Sequence, residues 1–309
     1  TLLEIPKSPR ILSTITERLE TRALSPSTFS AYLECPLKFW YKYVRNIHIP
    51  DEETEQLNAA QTGNLLHETL EKLFEPLIGA LMTPSLLRSL MPQVEQAWKE
   101  VRQKNFPWQS FEEGLNAMVD RMGPQFIHQY LATEAKAAQR KPALLIGQER
   151  PLETSILVDE QRVKWRGRLD RLEQLNGRTR IVDFKSGILK NNASELRIKG
   201  IETCFDGEHS KAFQLMCYAW MAYRSDPEAY AQGLELAILP LQQAEGGPRL
   251  LEIDQQSLLT VQSLEEFESL LLQHLREMMD PDRPFEATTQ VRKCTYCDFN
   301  RICQRQPED

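Results

Sequence analysis

Two neighbouring segments of this sequence carry acidic and basic residues at a spacing that suits chemistry on a phosphodiester. If residues 163–170 form a strand, period-two alternation places four polar side chains on one face: Lys164, Arg166, Arg168 and Asp170. In residues 181–185 the same alternation places Asp183 beside Lys185. Mg²⁺ prefers a few carboxylate oxygens together with water and substrate phosphate oxygens. Two carboxylates with a neighbouring lysine therefore predict an open metal site that polarises a phosphate and activates a water.

An Asp-x-Lys pair is common as a surface ion pair, so the prediction depends on the elements that position it. Before about residue 140 the pattern is helical, with Ser25 as a candidate N-cap and helices at 26–44, 63–74, 84–104 and 111–138. Strands are predicted at 143–158, 163–172 and 179–184, and Asn176-Gly177 indicates a tight hairpin. A helix at 210–224, strands at 234–239 and 250–253, and a helix at 257–279 follow.

This order predicts an α/β fold with a mixed central β-sheet flanked by helices and a helical insertion at 76–140. The chain has 309 residues, of which 41% are hydrophobic and 26% charged, as in a single globular domain spanning 1–309. Neither a signal peptide nor an apolar run of about 18 residues is present, so we expect a cytoplasmic protein without membrane contact. The start at Thr1 suggests a domain excised from a longer chain.

The charge distribution is uneven. The net charge of −7 argues against a uniformly basic coat for nucleic acid. Residues 161–200, however, contain eleven Lys or Arg against four Asp or Glu. The basic stretch coincides with the predicted hairpin, and this favours contact with a polyanion there.

The six cysteines form a second candidate centre. Cys294, Cys297 and Cys303 follow a C-x2-C-x5-C pattern, and Cys35 is the best candidate for a remote fourth ligand. Cys217 lies on an apolar helix face and is expected in the core, whereas Cys204 lies in a predicted loop. Disulfides are disfavoured in the cytosol. The spacing alone suits zinc and a 4Fe-4S cluster equally well.

The hairpin residues resemble the RecB-like branch of the PD-(D/E)xK nuclease superfamily, whose two strands read G-x-x-D and D-x-K-[ST]-G. The matching segments here are Gly167-Arg168-Leu169-Asp170 and Asp183-Phe184-Lys185-Ser186-Gly187. The resemblance implies a DNA nuclease with Asp170 and Asp183 as ligands of Mg²⁺ or Mn²⁺ and Lys185 as the catalytic lysine. Leu169 replaces the proline that names the superfamily, as is usual in this branch.

Two helical motifs extend the resemblance. Gly63 and His67 match G-x-x-x-H, which implies that His67 is a further metal ligand. Gln214 and Tyr218 match Q-x-x-x-Y, which implies contact with DNA near the site. Glu149 matches an acidic position often found in this branch. We expect it not to bind the metal directly and at most to contact the residues that do.

The cysteines resemble those of the iron-sulfur nucleases of this branch, such as the nuclease domain of AddB and CRISPR-associated nucleases. The match combines residues 34–43, which read E-C-P-x-x-[FY]-x-x-x-Y, with the terminal cysteine pattern. It implies a 4Fe-4S cluster on Cys35, Cys294, Cys297 and Cys303. Such a cluster would cross-link residues 25–45 to residues 290–305 in a structural role.

The resemblance also implies a substrate and a partner. We expect hydrolysis of single-stranded DNA ends or unwound tails, together with a helicase subunit of the AddA type. Arg166, Arg168, Arg171 and the loop 190–199 are candidates for contacts to the DNA backbone. Three alternatives stay open: a non-catalytic DNA-binding module with this fold, a stand-alone CRISPR-type nuclease, and a zinc protein unrelated to nucleic acid.

Overall fold

The computed structural model describes residues 3–49, 56–189 and 191–305, without the side chains of residues 191–193. The strands are β1 Glu4–Ile5, β2 Leu144–Val158, β3 Gln161–Leu175, β4 Arg178–Lys185, β5 Arg197–Ile198, β6 Leu234–Pro240, β7 Arg249–Leu250, β8 Glu252–Ile253, β9 Leu258–Leu259 and β10 Phe285–Glu286. The α-helices are α1 Pro9–Thr21, α2 Pro26–Glu34, α3 Pro36–Phe39, α4 Ala59–Phe74, α5 Pro84–Leu90, α6 Val94–Asn105, α7 Gly114–Ala138, α8 Ser210–Ser225 and α9 Val261–Met279.

A six-stranded mixed sheet forms the centre of the molecule. Strands β2, β3 and β4 pair antiparallel in sequence order, and β4 then pairs parallel with β6. Strands β7 and β9 both pair antiparallel with β6. At the β3–β4 turn, Asn176 and Gly177 have φ values of 55° and 77°, as a tight hairpin requires. The predicted mixed sheet and its hairpin are confirmed.

Helices cover both faces of this sheet, each over its own apolar core. On one face α8 packs against the hairpin, with α2 and α9 behind it. On the other face α4, α5, α6 and α7 pack together over Val182 and Phe184. Asp183 and Lys185 alternate with these two residues and point to the opposite side, as the strand pattern predicted. Helices α5 to α7 lie within the predicted insertion at 76–140, whose limits as an insertion remain a prediction.

Several element boundaries differ from the sequence-based expectation. The helix predicted at 26–44 breaks at Cys35, whose backbone is extended because Pro36 disfavours a helical conformation in the residue before it. The chain continues as α3 and as a π-helix, Trp40–Val44. Ser25 caps α2 by accepting a hydrogen bond from the Thr28 amide, as predicted.

The helix predicted at 84–104 divides into α5 and α6 around the short 3-10 helix Met91–Gln93. Helices α4 and α9 also depart from the predicted bounds, because polar caps fix their first turns. Helix α4 starts earlier than expected, where Asn58 and Gln61 form a capping box. Helix α9 starts later, at a box formed by Thr260 and Ser263. The strand predicted at 250–253 divides into β7 and β8, which pair with different partners. Within the described residues no helix is long and apolar enough to cross a lipid bilayer.

Candidate active site

Three ligand-type side chains from separate elements converge where β2 and β3 approach α4. The Nδ1 atom of His67 lies 3.5 Å from Asp170 Oδ1 and 3.8 Å from Glu149 Oε1. One donor atom from each of these residues lies within 4.8 Å of the other two. An imidazole nitrogen and two carboxylate oxygens at this spacing can bind one divalent cation.

Glu149 joins this group through an unusual backbone conformation. It lies between the strand pairs Gln148–Arg171 and Arg150–Leu169, which places it opposite Asp170. Its φ of 45° is in the left-handed region, which is costly for a residue with a side chain. We expected Glu149 not to bind the metal directly. The structure places its carboxylate beside the predicted ligands His67 and Asp170. The β2–β3 pairing, counted from its turn to the residue opposite Asp170, could have identified Glu149 from the sequence.

The electrostatics of the group are those of a cation site. Burial lowers the pKa of His67, but the carboxylates of Asp170 and Glu149, 3.5 and 3.8 Å from its Nδ1 atom, outweigh burial and raise the pKa to about 10. His67 therefore carries a proton at neutral pH when it lies between the two carboxylates. A bound cation would take over the role of this positive charge between the two carboxylates.

Asp183 and Lys185 form an ion pair next to this group. Lys185 Nζ lies 2.7 Å from Asp183 Oδ2, and the Asp183 side chain is only 3% exposed. Burial raises the pKa of Asp183 to about 6, the charge of Lys185 opposes that rise, and the charge of Asp170 adds to it. In the described part of the chain Asp183 is not within the three-residue group. Its predicted role as a metal ligand therefore remains a prediction.

Helix α8 holds the lysine through its glutamine. Lys185 Nζ donates to Gln214 Oε1 at 2.9 Å, and Gln214 Nε2 donates to the Tyr218 hydroxyl at 2.8 Å. Both residues were predicted to contact DNA, and that role remains a prediction. The structure places them in a chain of hydrogen bonds that orients Lys185, with Tyr218 only 8% exposed.

Close backbone contacts explain the glycines of two motifs. A Cβ atom on Gly63 would lie 3.2 Å from Ser186 Oγ, so a glycine lets α4 approach the loop after β4. A Cβ atom on Gly167 would lie 2.6 Å from Met221 Cε and 2.9 Å from a ring carbon of Tyr218. These contacts set how closely the helices on each side approach the hairpin.

The three predicted phosphate-binding arginines have different surroundings. Arg166 is exposed, and Arg168 is exposed but paired with Glu149 at 2.8 Å. Arg171 is buried and forms ion pairs with Glu134 and Glu173. The prediction that Arg171 contacts DNA is wrong, because alternation along β3 directs it into the core under α7. Of the predicted loop 190–199, Lys190 lies outside the described residues, as do the side chains of residues 191–193.

The four predicted cluster ligands line one cavity between the start of α3 and the C-terminal segment. Burial and the neighbouring thiols Cys35, Cys297 and Cys294 raise the pKa of Cys303 to about 11. The Thr288 amide donates to the Cys35 sulfur at 3.3 Å. The remaining two cysteines are Cys204 and Cys217. Both are buried in the main core, as expected for Cys217, whereas Cys204 lies in the short helix Ile201–Phe205 rather than in a loop.

Comparison with known proteins agrees with this arrangement. The sequence matches the PD-(D/E)XK nuclease superfamily over residues 23–304. One subunit of the ATP-dependent helicase/deoxyribonuclease of Carboxydothermus hydrogenoformans is 24% identical over 200 residues, which cover 58% of this chain but 17% of that protein. A solved structure titled "Crystal structure of SSO0001" aligns with 98% of this chain and all of its own, at 12% identity and a TM-score of 0.37, too low to inform on fold or function. The chain belongs to the PD-(D/E)XK nuclease superfamily.

Proposed function

We propose that this chain is a divalent-metal-dependent DNA nuclease of the RecB-like branch, acting on single-stranded ends or unwound tails. The observation that carries the proposal is the convergence of His67, Glu149 and Asp170 beside the Asp183–Lys185 pair. A nuclease needs a cation site that is open to a phosphate and a basic group next to it. A non-catalytic module would have no need to keep this set together.

We propose that His67 and Asp170 hold the cation, with Glu149 or Asp183 completing the set. The donors are one nitrogen and several carboxylate oxygens, and this combination suits Mg²⁺ or Mn²⁺ better than a soft metal. When bound, such an ion supplies Lewis acidity toward the phosphate and lowers the pKa of a water. Glu149 is further held by Arg168, whose Nε lies 2.8 Å from its carboxylate.

The chain's own residues would then orient the reaction. Lys185 lies between Asp183 and Gln214, which fix its ammonium group in one position. From there it can orient the attacking water and stabilise the negative charge that develops on the phosphate. Asp170 is fixed in turn, because its Oδ2 accepts a hydrogen bond from the Phe184 amide at 2.6 Å. This bond ties the two catalytic strands together at the site.

We propose that the cysteine cavity holds a 4Fe-4S cluster on Cys35, Cys294, Cys297 and Cys303. The four side chains, all within the described residues, line one cavity. Zinc on the same four thiolates is the alternative, and elemental analysis for iron and zinc distinguishes the two. The role of the cluster would be structural, since it joins the two ends of the domain.

A helicase is the partner that we propose. The matched relative is named as one subunit of a helicase/deoxyribonuclease, and this chain corresponds to a small part of it. A nuclease domain attached to such a complex would receive single strands from the unwinding subunit. The proposal of a helicase partner therefore rests on a relative of which this chain matches only one part.

Cleavage of end-labelled single-stranded and duplex DNA tests the nuclease. Anaerobically purified protein is assayed with Mg²⁺, with Mn²⁺ and with EDTA, beside Asp183→Asn as the matched variant. We expect cleavage of the single strand that needs the cation and is lost in the variant. Tight DNA binding by a cluster-loaded protein that never cleaves would instead identify a binding module.

A further inference from the structure

We propose that a polar groove between α2 and the C-terminal cysteine segment is the binding site for the single strand that enters the active site. This inference rests on the proposed function and adds the path of the substrate. The groove encloses about 660 Å³ and is lined by polar and charged side chains from both ends of the domain. Those used below are Ser27, Ser30, Lys38, Lys42, Glu208, Gln214, Arg292 and Lys293.

The groove includes the residue that holds the proposed catalytic lysine. Gln214 contributes to the groove lining, and its Oε1 accepts a hydrogen bond from Lys185 Nζ at 2.9 Å. A strand lying in the groove would therefore come within one side chain of Lys185. Within the described residues, the cavity beside Phe106 and Phe111 on the α6–α7 connection is lined by no residue of the proposed active site.

The groove carries cations whose present partners a phosphate can replace. Lys293 donates to the backbone carbonyl of Gly207 at 2.9 Å, and Lys42 lies 3.7 Å from Asp298. Neither contact is a close ion pair, and exposed pairs contribute little to stability. Arg292 is held by Glu208 at 2.6 Å. Amines on two facing walls suit a sugar-phosphate backbone better than a small anion.

Hydroxyl groups and an aromatic ring complete the expected composition of a single-strand site. Ser27 and Ser30 lie on the α2 wall and can donate to phosphate oxygens without reading sequence. Tyr43 is the aromatic residue that lines the groove, and a ring in this position can stack on an unpaired base. A duplex has no unpaired base to offer, so this composition favours a single strand.

The groove also shares a wall with the cysteine cavity. Both spaces are lined by Glu34, Lys38 and Lys293. The segment that carries Cys294 therefore supports the proposed cluster and also forms one wall of the groove. This gives the proposed cluster a specific role in substrate binding.

The test measures binding of a fluorescent oligothymidylate by anisotropy in EDTA, where no cleavage occurs. The double variant Lys42→Ala/Lys293→Ala is expected to bind about 10-fold more weakly. Its slope of log K against log salt should fall by roughly 1.4, which corresponds to two lost phosphate contacts. The control Arg162→Ala/Arg276→Ala removes the same charge near the β2–β3 turn, far from the groove, and should bind like wild type.

A second variant should raise the affinity for DNA, and a structural defect would not do so. Glu208→Gln removes the carboxylate that competes for Arg292, so binding should tighten about 3-fold. Unchanged affinity in both the lysine and the glutamate variants would overturn the groove, as would a wild type that binds no single strand. A wild type that binds through these lysines but never cleaves with Mn²⁺ would refute the nuclease and leave the groove standing.

Discussion

The two proposed cofactor sites of this chain are built from different kinds of structure. His67, Glu149 and Asp170 project from a long helix and two 15-residue strands, and hydrogen bonds and ion pairs fix them in place. The cysteines lie on short segments: a helix break at Cys35 and the turns that follow the short helix Val291–Cys294. We infer that the first site keeps its geometry without its metal, whereas the second depends on its cluster.

Loss of a cluster ligand should have the largest effect and tests this comparison directly. Cys35 and Cys294 are about 260 residues apart, and a cross-link over that separation stabilises the fold by about 5 kcal/mol on the loop-closure estimate. Cys297→Ser should therefore lose iron and unfold at much lower denaturant concentration. Cys204→Ala is the control, because it removes a buried thiol outside the cavity and should keep its iron.

Removal of a proposed metal ligand should abolish the proposed cleavage and leave the fold intact. Asp170→Asn keeps an oxygen that can accept the Phe184 amide but loses the charge. We expect cleavage to fall roughly 10³-fold, about 4 kcal/mol in activation free energy. The denaturation midpoint should stay near that of wild type, with or without EDTA. Unfolding on metal removal would show that the two sites do not differ in the way described.

Buried ion pairs of Arg171 link β3 to α7, and the loss of Arg171 should weaken the fold. Burial opposes the charge of Arg171, but Glu173, Tyr130 and Glu134 raise its pKa well above the usual value. Arg171→Met removes the ion-pair partner of Glu134 and leaves the buried Glu173 with Arg180 alone, 3.5 Å away, so it should destabilise the protein by about 3 kcal/mol. Arg166→Met, on the exposed face of the same strand, should change stability little. Equal losses in both variants would contradict the role of these ion pairs.

Tight packing of α8 on the hairpin should be sensitive to a single methyl group. Gly167→Ala places a Cβ 2.6 Å from Met221 Cε, which can move aside, and 2.9 Å from a ring carbon of Tyr218, which is buried and hydrogen-bonded to Gln214 and must shift to accept it. We expect about 2 kcal/mol of destabilisation together with reduced cleavage, because α8 also carries Gln214. Gly147→Ala is the matched control, since nothing lies within 4 Å of a Cβ there.

The smallest effect should come from the residue that orients the lysine. Gln214→Leu removes the acceptor for Lys185 Nζ and should lower kcat about 10-fold, about 1.4 kcal/mol, with little change in KM. Gln214→Glu keeps an acceptor oxygen and should restore part of the rate. A variant that raised KM alone would indicate that the residue binds DNA rather than positioning Lys185.

The hairpin and its partners were predictable because their signals are local. Alternation along β3 and β4, the Asn176-Gly177 turn and the apolar stripe beside His67 each depend on a few adjacent residues. The left-handed backbone of Glu149 and the burial of Arg171 were not predicted. Both depend on residues distant in the sequence, since Arg171 meets Tyr130 and Glu134 from α7. The cysteine pattern predicted four side chains that line one cavity, but it could not distinguish zinc from iron.

Binding of Mn²⁺ followed by electron paramagnetic resonance, without DNA, tests the central claim most directly. Wild type should bind the ion at a site that Asp170→Asn weakens by at least 10-fold, whereas Asp282→Asn, an exposed carboxylate elsewhere, should leave it unchanged. Equal Mn²⁺ affinity in wild type and Asp170→Asn would mean that the cation binds elsewhere, and the proposed active site would be wrong.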